Sequence, residues 1–183
     1  MGMYTQLAIG VRFKHDVPEE VIQQLKYMTG RSSKEVPHPG LFNDAAQDFF
    51  ACNRWNMVLS CDSYYFDWET RFHFDCDELY PDKPIWCLTG TSNLKNYDGE
   101  IAKFLLWIAP FLQTGEHGRE FLGFTRYEED DHPTLIYNDR GTITFDRQDG
   151  GAKWYEMGWR AGENHLIKQL PSHIKIEKGD PHA

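Results

Sequence analysis

The chain has 183 residues, of which 40% are hydrophobic and 15% aromatic, and its formal net charge is −9. This length and apolar content are typical of one domain with a substantial core, and they exclude disorder for most of the chain. An acidic chain lacks the basic face that binds nucleic-acid phosphates, so direct binding of DNA or RNA is not expected.

The negative charge is concentrated in the middle of the sequence. Residues 61–149 carry 8 basic and 18 acidic groups, a net charge of −10, whereas residues 1–60 carry 6 of each. Residues 150–183 carry 5 basic and 4 acidic groups. This distribution permits a partner with a basic surface, and it also favours solubility.

Neither a membrane span nor a secretion signal is expected. The sequence lacks an apolar run of 18 residues, and Met1–Gln6 has neither the cationic stretch nor the apolar core of a signal peptide. The four cysteines form no Cys-x-x-Cys pair, so they are interpreted as reduced core thiols; they are Cys52, Cys61, Cys76 and Cys87. The sequence therefore predicts a cytoplasmic protein that does not contact membranes.

The first elements in chain order are a strand and a helix. Apolar residues alternate over residues 5–14, which predicts a half-buried strand; they are Leu7, Ile9, Val11 and Phe13. Asp16 is predicted to cap the following helix, with Pro18 in its first turn and Gly30 as its stop. Residues 31–40 are predicted to form a loop and residues 43–50 a short helical turn.

The middle of the chain is rich in residues typical of strands. Residues 55–66 and 85–91 are predicted strands, and residues 80–84 a turn. Residues 69–77 alternate between two faces, with Phe72, Phe74 and Cys76 on one and Arg71, His73, Asp75 and Asp77 on the other. A second long helix is predicted from about Asp98 to about Gln113, with its last turn disturbed by Pro110.

Residues 119–128 and 133–146 are predicted to form three strands, of which the last two join through a hairpin loop at Asn138–Gly141. The predicted fold is therefore α+β: a mainly antiparallel sheet of about six to eight strands with two principal helices packed on it. Two related β-α-β-β-β halves are a further prediction. Residues 1–183 are expected to form one domain, with residues 150–183 as an extension packed on it and flexible at the end.

No catalytic residue, cofactor or metal site is assigned. The motifs of nucleophilic elbows, phosphate loops and zinc proteases are absent from the sequence. His73, Asp75 and Asp77 share a strand face, but residues four apart on a strand lie about 13 Å from each other, so one strand cannot supply all three metal ligands. This face is interpreted as solvated.

Glu128, Glu129, Asp130 and Asp131, followed by His132 and Pro133, form the densest run of charge. Such a run is usually solvated, and it lacks the spacing of a calcium loop. The alternative is a surface that binds a cation or a basic protein, which makes the four carboxylates candidate partner-binding residues.

A nucleotide ligand would need an aromatic ring to stack on its base and a cation for its phosphate. The candidates are Arg126, Tyr127, Lys95, Tyr64 and Tyr65, each near the end of a predicted element. Tyrosines in strands more often pack half-buried, so this remains an alternative.

Several segments together resemble a family of uncharacterised small proteins encoded by tailed bacteriophages and prophages. The matching segments are Ser63–Phe66, Asn93–Tyr97 with Glu100–Ile101 and Phe104–Leu105, and Gly123–Glu128 with Pro133–Tyr137. The resemblance covers roughly residues 4–140 and excludes the C-terminal forty residues. It implies no activity and no functional residue; it implies a phage accessory protein, a context that often means a binder or inhibitor of a host factor.

Three hypotheses follow. The leading one is a non-enzymatic binding protein, a phage accessory or anti-defence factor that acts on a basic host protein through its acidic surface. The alternative is a protein that binds or sequesters a nucleotide-like small molecule. The third is a metal-dependent hydrolase that uses His73, Asp75 or Asp77 with the 128–132 segment. A homodimer is a further hypothesis, because the aromatic content of 15% is high for the core of one small domain.

Overall fold

The protein is built around a six-stranded antiparallel sheet. The computed structural model describes residues 4–36, 44–61, 69–77, 80–115 and 118–147. The strands are β1 (Thr5–Arg12), β2 (Glu69–Asp77), β3 (Tyr80–Leu94), β4 (Arg119–Tyr127), β5 (Thr134–Asp139) and β6 (Thr142–Arg147). The helices are α1 (Glu19–Met28), α2 (Asp44–Phe50) and α3 (Glu100–Ile108). The spatial order of strands is β2-β3-β1-β4-β5-β6, so the first strand is central.

The alternation of β1 divides the sheet into two faces. Leu7, Ile9 and Val11 are buried and belong to one core cluster with apolar residues of all three helices. Gln6, Gly10 and Arg12 alternate with them, and the last two are exposed. We call the face that carries these even-numbered residues of β1 the open face, and the opposite one the helix face. The predicted α+β class is confirmed, whereas the two-halves arrangement stays a prediction.

The first helix begins later than predicted. Pro18, not Asp16, occupies its N-cap position, and no side-chain hydrogen bond caps this end. The reason is local, because a residue that precedes proline is disfavoured in the helical conformation, and Val17 is that residue. The predicted end of the helix is confirmed, since the Gly30 N–H donates to the carbonyl oxygen of Tyr27 at 3.0 Å.

Helix α3 and the turn after it show the expected effect of proline. The α-helix ends at Ile108, and a 3-10 turn, Ala109–Phe111, replaces its predicted last turn. Pro110 has no N–H to donate to the carbonyl of Leu106, so the α-helical ladder cannot continue there. At the other end of α3, the side chain of Asn96 satisfies one backbone donor of the first turn, because its Oδ1 atom accepts the N–H of Ile101 at 3.0 Å.

The predicted strand over residues 55–66 is wrong where the structure describes it. Trp55–Met57 is a 3-10 turn, and further turns follow over residues 58–60. Trp55 packs against Phe50 with a ring-centroid distance of 5.0 Å, so tertiary packing overrides the strand propensity of the local sequence. The prediction for residue 62 onward lies outside the described residues, as do the expectations for residues 150–183.

The predicted turn over residues 80–84 is also wrong, because these residues are the first part of β3. Two prolines suggested the turn. Before Cys87, however, β3 pairs in register with β2 alone, whereas from Cys87 onward it also pairs with β1. Along this one-sided stretch a residue without an N–H can face the free side, so proline is tolerated.

A tight hairpin joins the last two strands of the sheet. Arg140 and Gly141 turn the chain between β5 and β6 with φ of 51° and 89°, and the Gly141 N–H donates to Asn138 Oδ1 at 2.8 Å. This confirms the predicted hairpin loop.

None of the helices in the described ranges has the length and apolarity needed to cross a membrane.

Candidate functional site

The four consecutive carboxylates lie in a turn directly after β4, which we call the acidic turn (Glu128–Asp131). Two backbone hydrogen bonds hold it: the Glu128 N–H donates to Tyr4 O at 3.1 Å, and the Asp130 N–H donates to Tyr127 O at 3.0 Å. Glu128, Glu129 and Asp131 are exposed. The run is therefore presented at one end of the sheet on backbone tied to β1 and β4.

The phenol of Tyr127 experiences the charge of this turn. Partial desolvation raises the pKa of Tyr127, and the carboxylates of Glu129, Glu128 and Asp130 raise it further because they oppose a second negative charge. At neutral pH the hydroxyl thus remains a neutral hydrogen-bond donor beside the carboxylates.

The register of three strands brings several of the candidate ligand residues to the same end of the sheet. Thr5 of β1 lies opposite both Leu94 of β3 and Tyr127 of β4. Lys95 directly follows Leu94, and its Nζ atom lies over the ring of Tyr4, 5.5 Å from the ring centroid, which is within the range of a cation–π interaction. Since neighbouring strands are about 4.8 Å apart, the backbones at Lys95 and the acidic turn are separated by about 10 Å.

Not all of the ligand candidates share a face. Arg126 is exposed and lies opposite Gln6 on the open face, whereas Tyr127 alternates to the helix face. Tyr64 and Tyr65 lie outside the described residues. The structure thus brings Lys95, Arg126 and Tyr127 to one sheet end without directing all three side chains toward one point.

The residues of the hydrolase hypothesis lie elsewhere. Asp75 is opposite Ile85, nine residues before Leu94 on the same strand, so it is separated from the acidic turn by about 30 Å along the strand direction. The acidic turn therefore cannot join His73 and Asp75 in one site. Asp77 lies beyond a register shift in β2 and pairs with Tyr80.

A cysteine that the sequence predicts to be a core thiol completes a different cluster. Cys87 lies directly opposite His73, and one potential ligand atom from each of His73, Asp75 and Cys87 lies within 4.8 Å of the other two. Cys87 is buried and Asp75 is exposed. Burial raises the pKa of the Cys87 thiol, the Asp75 carboxylate raises it further, and the Arg12 guanidinium lowers it.

The missing signal was the strand pairing. Cys87 belongs to a predicted strand, but its pairing partner cannot be recognised in one sequence, because a shift of one residue would place it on the other face. Strand β2 supplies two of the three groups, and the neighbouring strand β3 provides the third.

The chain matches no protein-family model, no curated protein and no solved structure. The resemblance to phage proteins therefore stays a prediction.

Proposed function

We propose that this protein is a non-enzymatic binding protein that docks through the acidic turn on a basic surface of a host protein. In this proposal it acts in the host cytoplasm as a phage accessory or anti-defence factor. The acidic turn carries the proposal: four carboxylates stand side by side at a sheet end, and at least three of them are exposed to a partner.

The way the turn is held favours binding over passive solvation. A carboxylate run on a free tail would lose conformational entropy on docking. Here the N–H groups of Glu128 and Asp130 are already hydrogen-bonded to the carbonyls of Tyr4 and Tyr127. The charges are thus presented in a defined arrangement before a partner arrives, which lowers the entropic cost of association.

The neighbouring cations would give such a surface specificity. Lys95 and Arg126 lie at the same sheet end as the four carboxylates, so a partner must match positive and negative positions in register. Charge complementarity of this kind acts mainly on association rate and partner choice, and salt screens it.

The test compares two variants with the same change in net charge. The first replaces the acidic turn by amides: Glu128→Gln, Glu129→Gln, Asp130→Asn and Asp131→Asn. The control replaces four exposed carboxylates in and beside α1: Asp16→Asn, Glu19→Gln, Glu20→Gln and Glu35→Gln. Pull-downs from host lysate at low and high salt, quantified by mass spectrometry, should yield a partner with the wild type and the control.

The turn variant should lose that partner, and high salt should release it from the wild type. Equal capture by the turn variant and the control would show that general acidity, not this turn, causes the binding. Empty pull-downs at low salt would also contradict the proposal. Homodimerisation is a separate proposal, which light scattering after gel filtration would decide.

A second candidate function is the binding of a nucleotide-like small molecule. The observation that favours it is the meeting of Lys95, Arg126 and the tyrosines Tyr4 and Tyr127 at one sheet end. The nearby acidic turn would repel phosphate, so we place this candidate second. In a thermal-shift panel of cyclic dinucleotides, a ligand at 100 times its dissociation constant should stabilise the fold by about 2.7 kcal/mol, and Arg126→Ala should remove the effect.

A further inference from the structure

The open face of the β2–β3 hairpin carries three different potential metal ligands in one place. His73 and Asp75 come from β2 and Cys87 from β3, and their ligand atoms lie within 4.8 Å of one another. The set combines a nitrogen, a carboxylate oxygen and a sulfur. This is a donor combination found at zinc sites, unlike the all-carboxylate surface of the acidic turn.

The hairpin explains why these groups converge. His73 and Cys87 are directly opposite in an antiparallel ladder, and Asp75 lies two residues farther along the same face. On the helix face the same two strands are anchored by Phe72 and Leu88, which are both 0% exposed. The two strands therefore provide a rigid base for the three side chains.

We propose that His73, Asp75 and Cys87 bind a zinc ion. Zinc accepts donors at about 2.0–2.3 Å in a tetrahedron, which places the donors roughly 3.3–3.8 Å apart. The 4.8 Å limit on the present separations leaves about 1 Å to close, which small rotations of the three side chains, that of exposed Asp75 among them, would supply. A thiolate and a carboxylate together balance the two positive charges of the ion.

An unsatisfied nitrogen supports the site independently. The Nδ1 atom of His73 is buried and has no hydrogen-bond partner among the described residues. A buried polar atom left in this state costs about 1–3 kcal/mol, and ligation of Nδ1 to a metal would remove that cost. Three protein ligands leave a fourth tetrahedral position, which water would occupy on the solvent side, next to exposed Asp75.

The direct test is a cobalt titration of the full chain after chelator treatment, because Co²⁺ reports its geometry and its sulfur ligands in its absorption spectrum. The wild type should show intense tetrahedral d–d bands and a near-ultraviolet thiolate-to-cobalt band, and zinc should displace both. Cys87→Ser should lose the thiolate band. Loss of outer-shell partners alone changes metal affinity 10–100-fold, so Asp75→Asn and His73→Ala should weaken cobalt binding by about 100-fold.

Three controls separate this site from other donors. Cys52→Ser and Cys76→Ser should keep the thiolate band, and the acidic-turn amide variant should bind cobalt as the wild type does. Because Asp75 is exposed, Asp75→Asn should fold normally by circular dichroism even if a change at buried Cys87 does not. This keeps the test decisive.

Two results would overturn the proposal. One is a weak, octahedral spectrum without a sulfur band, which would mean adventitious binding to surface carboxylates. The other is an unchanged cobalt affinity in Asp75→Asn together with an unchanged thiolate band in Cys87→Ser. Neither result bears on the acidic turn, so this site and the proposed function fail or stand separately.

Discussion

Gly123 of β4 lies opposite Ile9 of β1, where the strands β2, β3 and β1 meet the strands β4, β5 and β6. Its replacement by alanine tests the described pairing of β1 with β4. Gly123 has a φ of +143°, and a Cβ atom added to it would overlap the carbonyl oxygen of Ala8 and lie 2.9 Å from the carbonyl carbon of Ala8. Carbon atoms in contact are about 3.5–4.0 Å apart, so the strands would have to separate by about 1 Å. That movement would stretch the ladder that pairs Thr5–Ile9 with Gly123–Tyr127.

The expected loss follows from two contributions. A backbone conformation that only glycine adopts readily costs another residue about 1–3 kcal/mol. Weakening two or three ladder hydrogen bonds adds about 0.5–1.5 kcal/mol for each. We therefore expect Gly123→Ala to lower the free energy of unfolding by about 3–5 kcal/mol, out of the 5–15 kcal/mol typical of a domain.

Urea denaturation followed by circular dichroism measures this effect. With a slope of about 2 kcal/mol per molar urea, the midpoint should fall by about 2 M. The matched control is Gly10→Ala on the neighbouring strand β1, where an added Cβ meets nothing within 4 Å. It should change the stability by less than about 1 kcal/mol, because the main effect of the added methyl group is to restrict the unfolded chain. Equal midpoints for both variants would refute the described approach of β4 to Ala8.

Two further predictions concern buried ionisable groups. Glu100 is 0% exposed, and its carboxylate lies 3.5 Å from Arg54 and accepts the Asp98 N–H at 3.0 Å. In the wild-type background, Arg54→Ala should therefore destabilise the fold by about 1–3 kcal/mol. In a Glu100→Gln background the same substitution should have little effect. A double-mutant cycle measured by urea denaturation would show this difference. Burial raises the pKa of Cys52 above the ordinary value of 9.0, although Lys103 opposes the shift. Iodoacetamide should thus modify Cys52 more slowly in the folded than in the unfolded protein at pH 7.5, and equal alkylation rates would contradict this. The free energy of unfolding should fall as the pH rises above about 9, because the thiol ionises first in the unfolded protein.

Local periodicity was enough to predict most of the regular elements. The alternation over residues 69–77 predicts β2 with its bounds, and the stripe of Ile101, Phe104 and Leu105 predicts α3, because burial of one face imposes the period directly on the sequence. The errors arise where contacts with distant parts of the molecule determine the local structure. Trp55 was predicted to lie in a strand, but it lies in a 3-10 turn and packs against the ring of Phe50.

The candidate sites are harder to predict than the elements, because, apart from the acidic turn, their residues come together from different strands. The acidic turn is one continuous segment and was found as such. Its neighbour Lys95 joins it only because β1 lies between β3 and β4, an order that no local pattern encodes. Cys87 meets His73 through a register that a slip of one residue would destroy. A histidine and a carboxylate two residues apart on a strand therefore supply two ligands of one potential metal site. The third ligand comes from the strand that pairs with them, as Cys87 of β3 does here.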